Sequence, residues 1–167
     1  AEARRQLRRI VWQRGVLSSA AVTEEDSVYR LYYDFSQAVS KMQGHQVLAI
    51  NRGENEGMLK VSVAVADADA LPPLVRMFVI PGRRAAEFVR SAVEDGYSRL
   101  LFPSIEREIR AELTENADEG AIKNFALNLR PLLMQPPVRG RVTLGYDPGY
   151  RNGCKLAVVD GTGKVLD

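Results

Sequence analysis

Val142-Thr143-Leu144-Gly145-Tyr146-Asp147-Pro148-Gly149-Tyr150-Arg151-Asn152-Gly153-Cys154-Lys155-Leu156-Ala157-Val158-Val159-Asp160 is where the texture of the sequence changes. Val142 to Asp147 alternates as a strand does, Pro148 to Gly153 is a turn, and Cys154 to Asp160 is a second apolar strand. Asp160-Gly161 is a hairpin signal, and Lys164-Val165-Leu166 opens a third strand. A sheet of two or three strands is marginal alone, and its edge would template pairing with another chain. The chain is therefore expected to be a fragment of a longer, multidomain protein. The alternative is that these strands pack on the preceding helices and complete a small α+β domain.

The same stretch carries the sharpest chemical signal. An aspartate at a strand end, followed by a glycine turn, sets the Asp147 carboxylate beside exposed backbone amides. Such a carboxylate can join others around divalent metals for phosphodiester cleavage, or the turn amides can cradle a phosphate. One aspartate does neither by itself, and Asp-Pro-Gly is also simply a good turn. A Walker A loop is excluded. Gly149 to Gly153 is a residue too short, Lys155 does not directly follow the second glycine, and a strand comes next where a helix is needed.

Working back from this stretch, the sequence is mostly helical. Ala85, Phe88, Val89, Ala92, Val93, Tyr97 and Leu100 follow the helical period. Pro103 opens the next element, with Ile105, Ile109, Leu113, Ala117, Ala121, Phe125, Leu129 and Leu132 as its apolar stripe. This is one long helix, or two joined near Gly120, kinked at Pro131 and stopped by Pro136-Pro137. Glu106 and Arg110 are spaced to pair, Glu108 and Glu112 to repel. These acids, with Glu115, read as a solvated face.

Leu59, Val61, Val63 and Val65 alternate with Lys60, Ser62 and Ala64 and read as a strand. Asp67 to Pro73 reads as a loop, Leu74 to Ile80 as helix or strand, and Pro81-Gly82 as a turn. Thr23, followed by Glu24, Glu25 and Asp26, looks like a helix entrance. Val28, Leu31, Tyr32, Phe35, Val39 and Met42 would form that helix's buried face, with Tyr29 and Tyr33 off it. His45 to Asn51 either extends this helix or forms a new one. Asn51-Arg52-Gly53-Glu54 reads as its capped end. Ala3, Leu7, Ile10 and Val11 mark a first helix stopped by Gly15. Arg4, Arg5, Arg8 and Arg9 lie opposite, as a solvated face or as contacts to phosphates.

Composition narrows the class. The 167 residues are 46% hydrophobic and 26% charged, which excludes a collagen-like or disordered chain. No apolar run approaches the roughly 20 residues of a membrane span. One cysteine and one histidine exclude an internal disulfide and most soft-metal cages. His45 reads as a hydrogen-bonded structural residue and Cys154 as a small buried one. The formal charge of +2 neither demands nor excludes nucleic acid. With a lone cysteine and no secretory signal, the expected setting is the cytoplasm.

Five stretches in order resemble the Tex family of bacterial transcription accessory proteins. They are His45–Glu54, Arg99–Arg110, Phe125–Arg130, Leu144–Tyr150 and Gly153–Asp160, and the likeness runs from about residue 20 to the end. Gln46 departs from it, since the family usually has arginine beside the histidine. The resemblance implies a helical region that leads into a YqgF-like domain of RNase H-like fold, with helix-hairpin-helix units and an RNA-binding OB-type domain beyond.

The expected fold class is therefore mainly α. A helical scaffold with a short strand element would span 1–138, and the opening β-hairpins of an α/β RNase H-like (YqgF) domain would span 139–167. The expected function is that of a nucleic-acid-binding (RNA or DNA) transcription accessory factor, with this chain as scaffold. It would not be an enzyme and would have no catalytic residues and no cofactor. Its partners would be nucleic acid and the transcription machinery, not a membrane. Asp147 matches the first acidic position of RuvC- and YqgF-like sites and is carried over as a vestigial metal ligand. The nucleic-acid-binding residues stay unassigned. The alternatives are a metal-dependent nuclease using Asp147, an actin-like ATPase with Gly145–Gly153 as its phosphate hairpin, and a protein-interaction scaffold.

Overall fold

The computed structural model describes residues 1–23, 25–136, 138–149, 151 and 153–167. Glu24, Pro137, Tyr150 and Asn152, which entered the readings above, lie outside the described residues. The chain divides into two compact units, Ala1–Ile122 and Lys123–Asp167.

The first unit starts with α1, Glu2–Arg14, which buries Leu7 and Val11. Gly15 ends it as expected, but not through a left-handed backbone: its φ is −67°. A side chain there would run into the Val11 carbonyl, so glycine is needed for close approach. The chain then turns directly into a three-stranded antiparallel sheet of order β2-β1-β3, made of β1 (Val16–Ala21), β2 (Asp34–Ala38) and β3 (Leu59–Ala64). Leu17 stands between Gln37 and Val63, and Ser19 between Phe35 and Val61. The buried Ser19 hydroxyl donates to the Tyr32 carbonyl at 2.7 Å.

The helix expected from Thr23 to Met42 is thus absent. In its place are a short 3-10 turn at Arg30–Tyr32, the strand β2 and a second 3-10 turn at Val39–Lys41. Of the supposed buried stripe, Val28 and Leu31 are exposed, while Val39 is buried and Tyr32 and Phe35 pack edge-on against each other. Tyr29, placed off the stripe, is in the core. Pairing on both sides of β1 satisfies the backbone of this region, and a weak helical periodicity does not compete with that.

Helix α2, Gly44–Asn55, is a separate element and buries Val47, Ile50 and Gly53. Gln46 accepts the Gln43 amide at 2.9 Å and closes the first turn. Arginine carries no acceptor, so the family's usual residue could not do this. The expected strand at Leu59–Val65 is β3.

The supposed loop at Asp67–Pro73 is the start of α3, Asp67–Phe78, which runs through Pro72 and Pro73. The prolines forfeit two helix hydrogen bonds. Asp67 and Asp69 in the first turn favour the helix, and Ala70 and Leu74 are buried in the core. Packing wins over the lost bonds.

Helix α4, Ala86–Gly96, passes without a break through a π-turn, Tyr97–Leu101, into α5, Phe102–Leu133. The π-turn precedes Pro103, where the missing amide and the ring disfavour regular α winding. Helix α5 continues through Gly120 and Pro131 as one helix. Within the first unit it buries Ile105, Ile109, Leu113 and Ala117 against a core that includes Leu7, Val11, Leu17, Val47, Ile50 and Val63.

Tyr97 joins the same core. Burial chiefly, and then the charge and hydrogen bond of the nearby Asp67 carboxylate, together push its hydroxyl up to about 12. The folded state therefore holds this proton more tightly than an unfolded chain, where tyrosine titrates near 10. Stability from this group is intact below about pH 10 and is lost as pH rises toward about 12. Tyr97→Phe is expected to flatten that alkaline decline, read as denaturant midpoint against pH. An unchanged slope would contradict the assignment.

The second unit contains the last turns of α5 and a hairpin of β4 (Thr143–Asp147) and β5 (Lys155–Val159). The expected third strand reduces to a bridge between Val159 and Val165. Asp160 forms the turn as expected: its carboxylate accepts the Thr162 hydroxyl and the amides of Thr162 and Lys164 at 2.6, 2.8 and 3.0 Å. The Thr162 bonds, chiefly, hold its carboxyl below the usual range.

Candidate functional site

The stretch read as a capped helix end, Asn51–Glu54, is instead half of a polar cluster between α2 and α5. Arg110 donates to both carboxylate oxygens of Glu54 and, at 3.3 Å, to Asn51 Oδ1. Asn51 donates from Nδ2 to Thr114 Oγ1 at 2.8 Å, and that hydroxyl donates to the Arg110 carbonyl at 2.9 Å. These residues line a shallow cleft of about 290 Å³ with Asn55 and Arg107. The α2 pair is three residues apart and the α5 pair four apart, so each pair shares one helix face.

The members of the cluster satisfy one another, and the Thr114 hydroxyl is spent on the Arg110 carbonyl. The cluster ties two helices together in a fixed register. Removing one member leaves partners half-buried without a counter-charge. Arg110→Met is expected to cost about 2 kcal/mol, less than a fully buried pair because both side chains keep some solvent. The double variant Arg110→Met/Glu54→Met should recover most of the loss in a double-mutant cycle. Additive losses would show that the two groups do not act together.

The α5 acids are not a solvated face. Glu106 Oε1 accepts the Val63 amide at 2.8 Å and joins α5 to β3, so the expected Glu106–Arg110 pair does not form. Glu108 accepts Arg4 at 2.6 Å and Arg8 at 2.7 Å, and Glu112 accepts Arg8. Two acids spaced to repel are thus neutralised by arginines from α1. Arg4 also donates to Ser104 Oγ at 2.9 Å. Of the four acids only Glu115 is exposed. His45, expected to be a hydrogen-bonded structural residue, is exposed in the first turn of α2.

In the second unit, Asp147 is exposed at the end of β4, in register with Lys155. Among the described residues, no group of three or more His, Cys, Asp or Glu side chains comes together. Gly149 approaches the Gly153 carbonyl too closely for any side chain, and Gly153 has φ +79°. Cys154, expected to be buried, is exposed, and its thiol donates to the Tyr146 hydroxyl at 3.0 Å.

The first unit is thus braced by inter-helix ion pairs, and the second carries a glycine-turned hairpin. The family described as Tex central region-like matches residues 1–125, and that described as the Tex protein YqgF-like domain matches residues 141–167. The chain belongs to the Tex family. The likeness reaches into α1, ahead of the stretches from about residue 20 that first carried it.

Among its relatives, the protein YdcI of Bacillus subtilis is 46% identical over 98% of this chain and 23% of its own length. The transcriptional accessory protein Tex of Neisseria gonorrhoeae is 40% identical over 81% of this chain and 19% of its own. The human S1 RNA-binding domain-containing protein 1 is 38% identical over 90% and 16%. The chain thus spans about a fifth of the length of these relatives. Among the described residues, no helix is long and apolar enough to cross a membrane.

Proposed function

We propose that this chain is the helical scaffold, with the opening strands of a YqgF-like unit, of a cytoplasmic transcription accessory factor that binds nucleic acid and works with the transcription machinery. The reading is one of binding, not catalysis. The observation that carries it is the mutual satisfaction of Arg110, Glu54, Asn51 and Thr114, which braces α2 against α5. The names of two relatives, one a transcriptional accessory protein and one carrying an S1 RNA-binding domain, support the nucleic-acid part.

Binding of the complete protein to single-stranded RNA should fall linearly on a log–log plot against salt, as phosphate neutralisation requires. Tight binding without salt dependence would contradict the reading. The exposed position of Asp147 at a strand end favours one competing reading, a metal-dependent nuclease. Metal-dependent RNA or DNA cleavage by the complete protein, abolished by Asp147→Asn, would replace binding with catalysis.

A further inference from the structure

The paired arginines of α1 form two rows. Arg4 and Arg8 are one turn apart and end on Glu108 and Glu112, as described above. Arg5 and Arg9 are also one turn apart, but each lies one residue further on, which rotates the row by about 100°. That second row faces α3 across a groove of about 590 Å³, which Arg14 and Arg76 also line.

Four arginines face two carboxylates there, Glu2 and Asp69. Asp69 is taken by Arg14. Glu2 lies 3.4 Å from Arg5 in an exposed pair, an interaction of little strength. Among the described residues, Arg9 has no carboxylate within ion-pair distance. Arg76 is steadied by its Nε–H, which donates to the Pro72 carbonyl at 3.2 Å. Gln6 and Gln13 add neutral hydrogen-bonding groups along the same wall, and Ile10, Ala68, Pro72 and Pro73 give an apolar floor.

We propose that the α1–α3 groove binds the phosphodiester backbone of a nucleic-acid strand. The inference rests on the nucleic-acid-binding reading above and gives it a site. Guanidinium groups suit phosphate because their planar forks donate two parallel hydrogen bonds. Four of them along a groove suit a polymeric anion better than a single one. Glutamines and an apolar floor suit sugars and base faces. The Arg4 and Arg8 row is neutralised by acids of α5, whereas the groove holds four arginines against two carboxylates, so an excess of positive charge lies along α3.

The test uses the complete protein and its Arg9→Gln/Arg76→Gln variant, with a labelled single-stranded RNA of about 20 nucleotides in a salt titration followed by fluorescence anisotropy. Both arginines are on the surface, and an unchanged melting temperature would confirm that the fold is intact. Affinity at low salt is expected to fall about tenfold, and the log–log salt slope to shrink by about 1.4, for two lost phosphate contacts at roughly 0.7 each. Arg83→Gln/Arg84→Gln removes the same charge from an exposed loop and should leave the slope unchanged. An equal loss in that control would make the effect one of net charge and would overturn the site. Wild-type affinity and slope in the groove variant, with RNA still bound, would overturn the groove and leave the nucleic-acid reading standing. No RNA binding by the unmodified protein would overturn both.

Discussion

Ile109→Ala is expected to destabilise the first unit by about 3 kcal/mol, within the 2–5 kcal/mol seen for such truncations. Ile109 is 0% exposed and lies midway along the buried row of α5, between Ile105 and Leu113. Core residues from α1, α2 and the sheet form one cluster with it. Removing three carbons loses their transfer energy and leaves a cavity, because the surrounding helices are held by their own side-chain bonds. Glu106 is bonded to β3, Arg110 to α2, and Glu108 and Glu112 to α1, so α5 cannot slide inward to refill the space. Urea unfolding should show the loss as a lower midpoint with little change in slope. The melting temperature should fall by about 10 °C. Ile109→Val should cost about 1 kcal/mol. A loss under 1 kcal/mol for the alanine variant would mean that this row is not close-packed.

The second large effect has a sign opposite to helix propensity. Gly53→Ala in α2 would ordinarily stabilise a helix by about 1 kcal/mol. Here an added Cβ would lie 2.6 and 2.9 Å from Leu59 Cδ1 and Cγ, and 3.1 Å from Tyr29 Cγ. Leu59 and Tyr29 are both buried, at 3% and 5% exposure, so neither can swing away into solvent. Overpacking of this kind costs about 1–3 kcal/mol, and a net loss of about 1–2 kcal/mol is expected. Gly120→Ala in α5 is the internal comparison. It meets nothing within 4 Å, and the same substitution should be stabilising there. Chemical denaturation of both variants decides the matter. If Gly53→Ala were as stabilising as Gly120→Ala, the contact between α2 and the start of β3 would have to be looser than the structure has it.

The legible parts of the fold were those whose burial follows chain periodicity. Leu59, Val61 and Val63 alternate, and that was enough for β3. Ile105 to Ala117 recur at helical spacing, and that was enough for α5. β1 and β2 were not legible. Val16–Ala21 is small and partly polar, and the later stripe from Val28 to Met42 imitates a helix. What decides this region is pairing between segments far apart in sequence, which no local pattern records. Pro72 and Pro73 misled in the other direction: they signal a loop, but burial of Ala70 and Leu74 keeps the helix. The candidate site shows the same division. Asp147 stood out because its motif is local. The Arg110–Glu54 cluster did not, because its two halves are 56 residues apart and each alone is an ordinary surface pair. The four arginines of α1 were visible as one face, but which of them are neutralised depends on acids about a hundred residues away.

The π-turn at Tyr97–Leu101 acts as a phase correction. Val93, Tyr97, Leu101, Ile105, Ile109, Leu113 and Ala117 recur at a strict interval of four. In an unbroken α-helix such a row precesses by about 40° at every step, so Val93 would stand about 120° away from Ile105. One loosened turn takes back about 100° of the roughly 120° accumulated over the three steps from Val93 to Ile105, so both can belong to the same interior although they sit on different helices. Loss of any single residue from 97–101 would restore regular winding and rotate α4 by about 100° about its own axis, swinging Val93 toward water while α5 stays seated. The length of this five-residue turn thus sets how α4 is rotated relative to the start of α5.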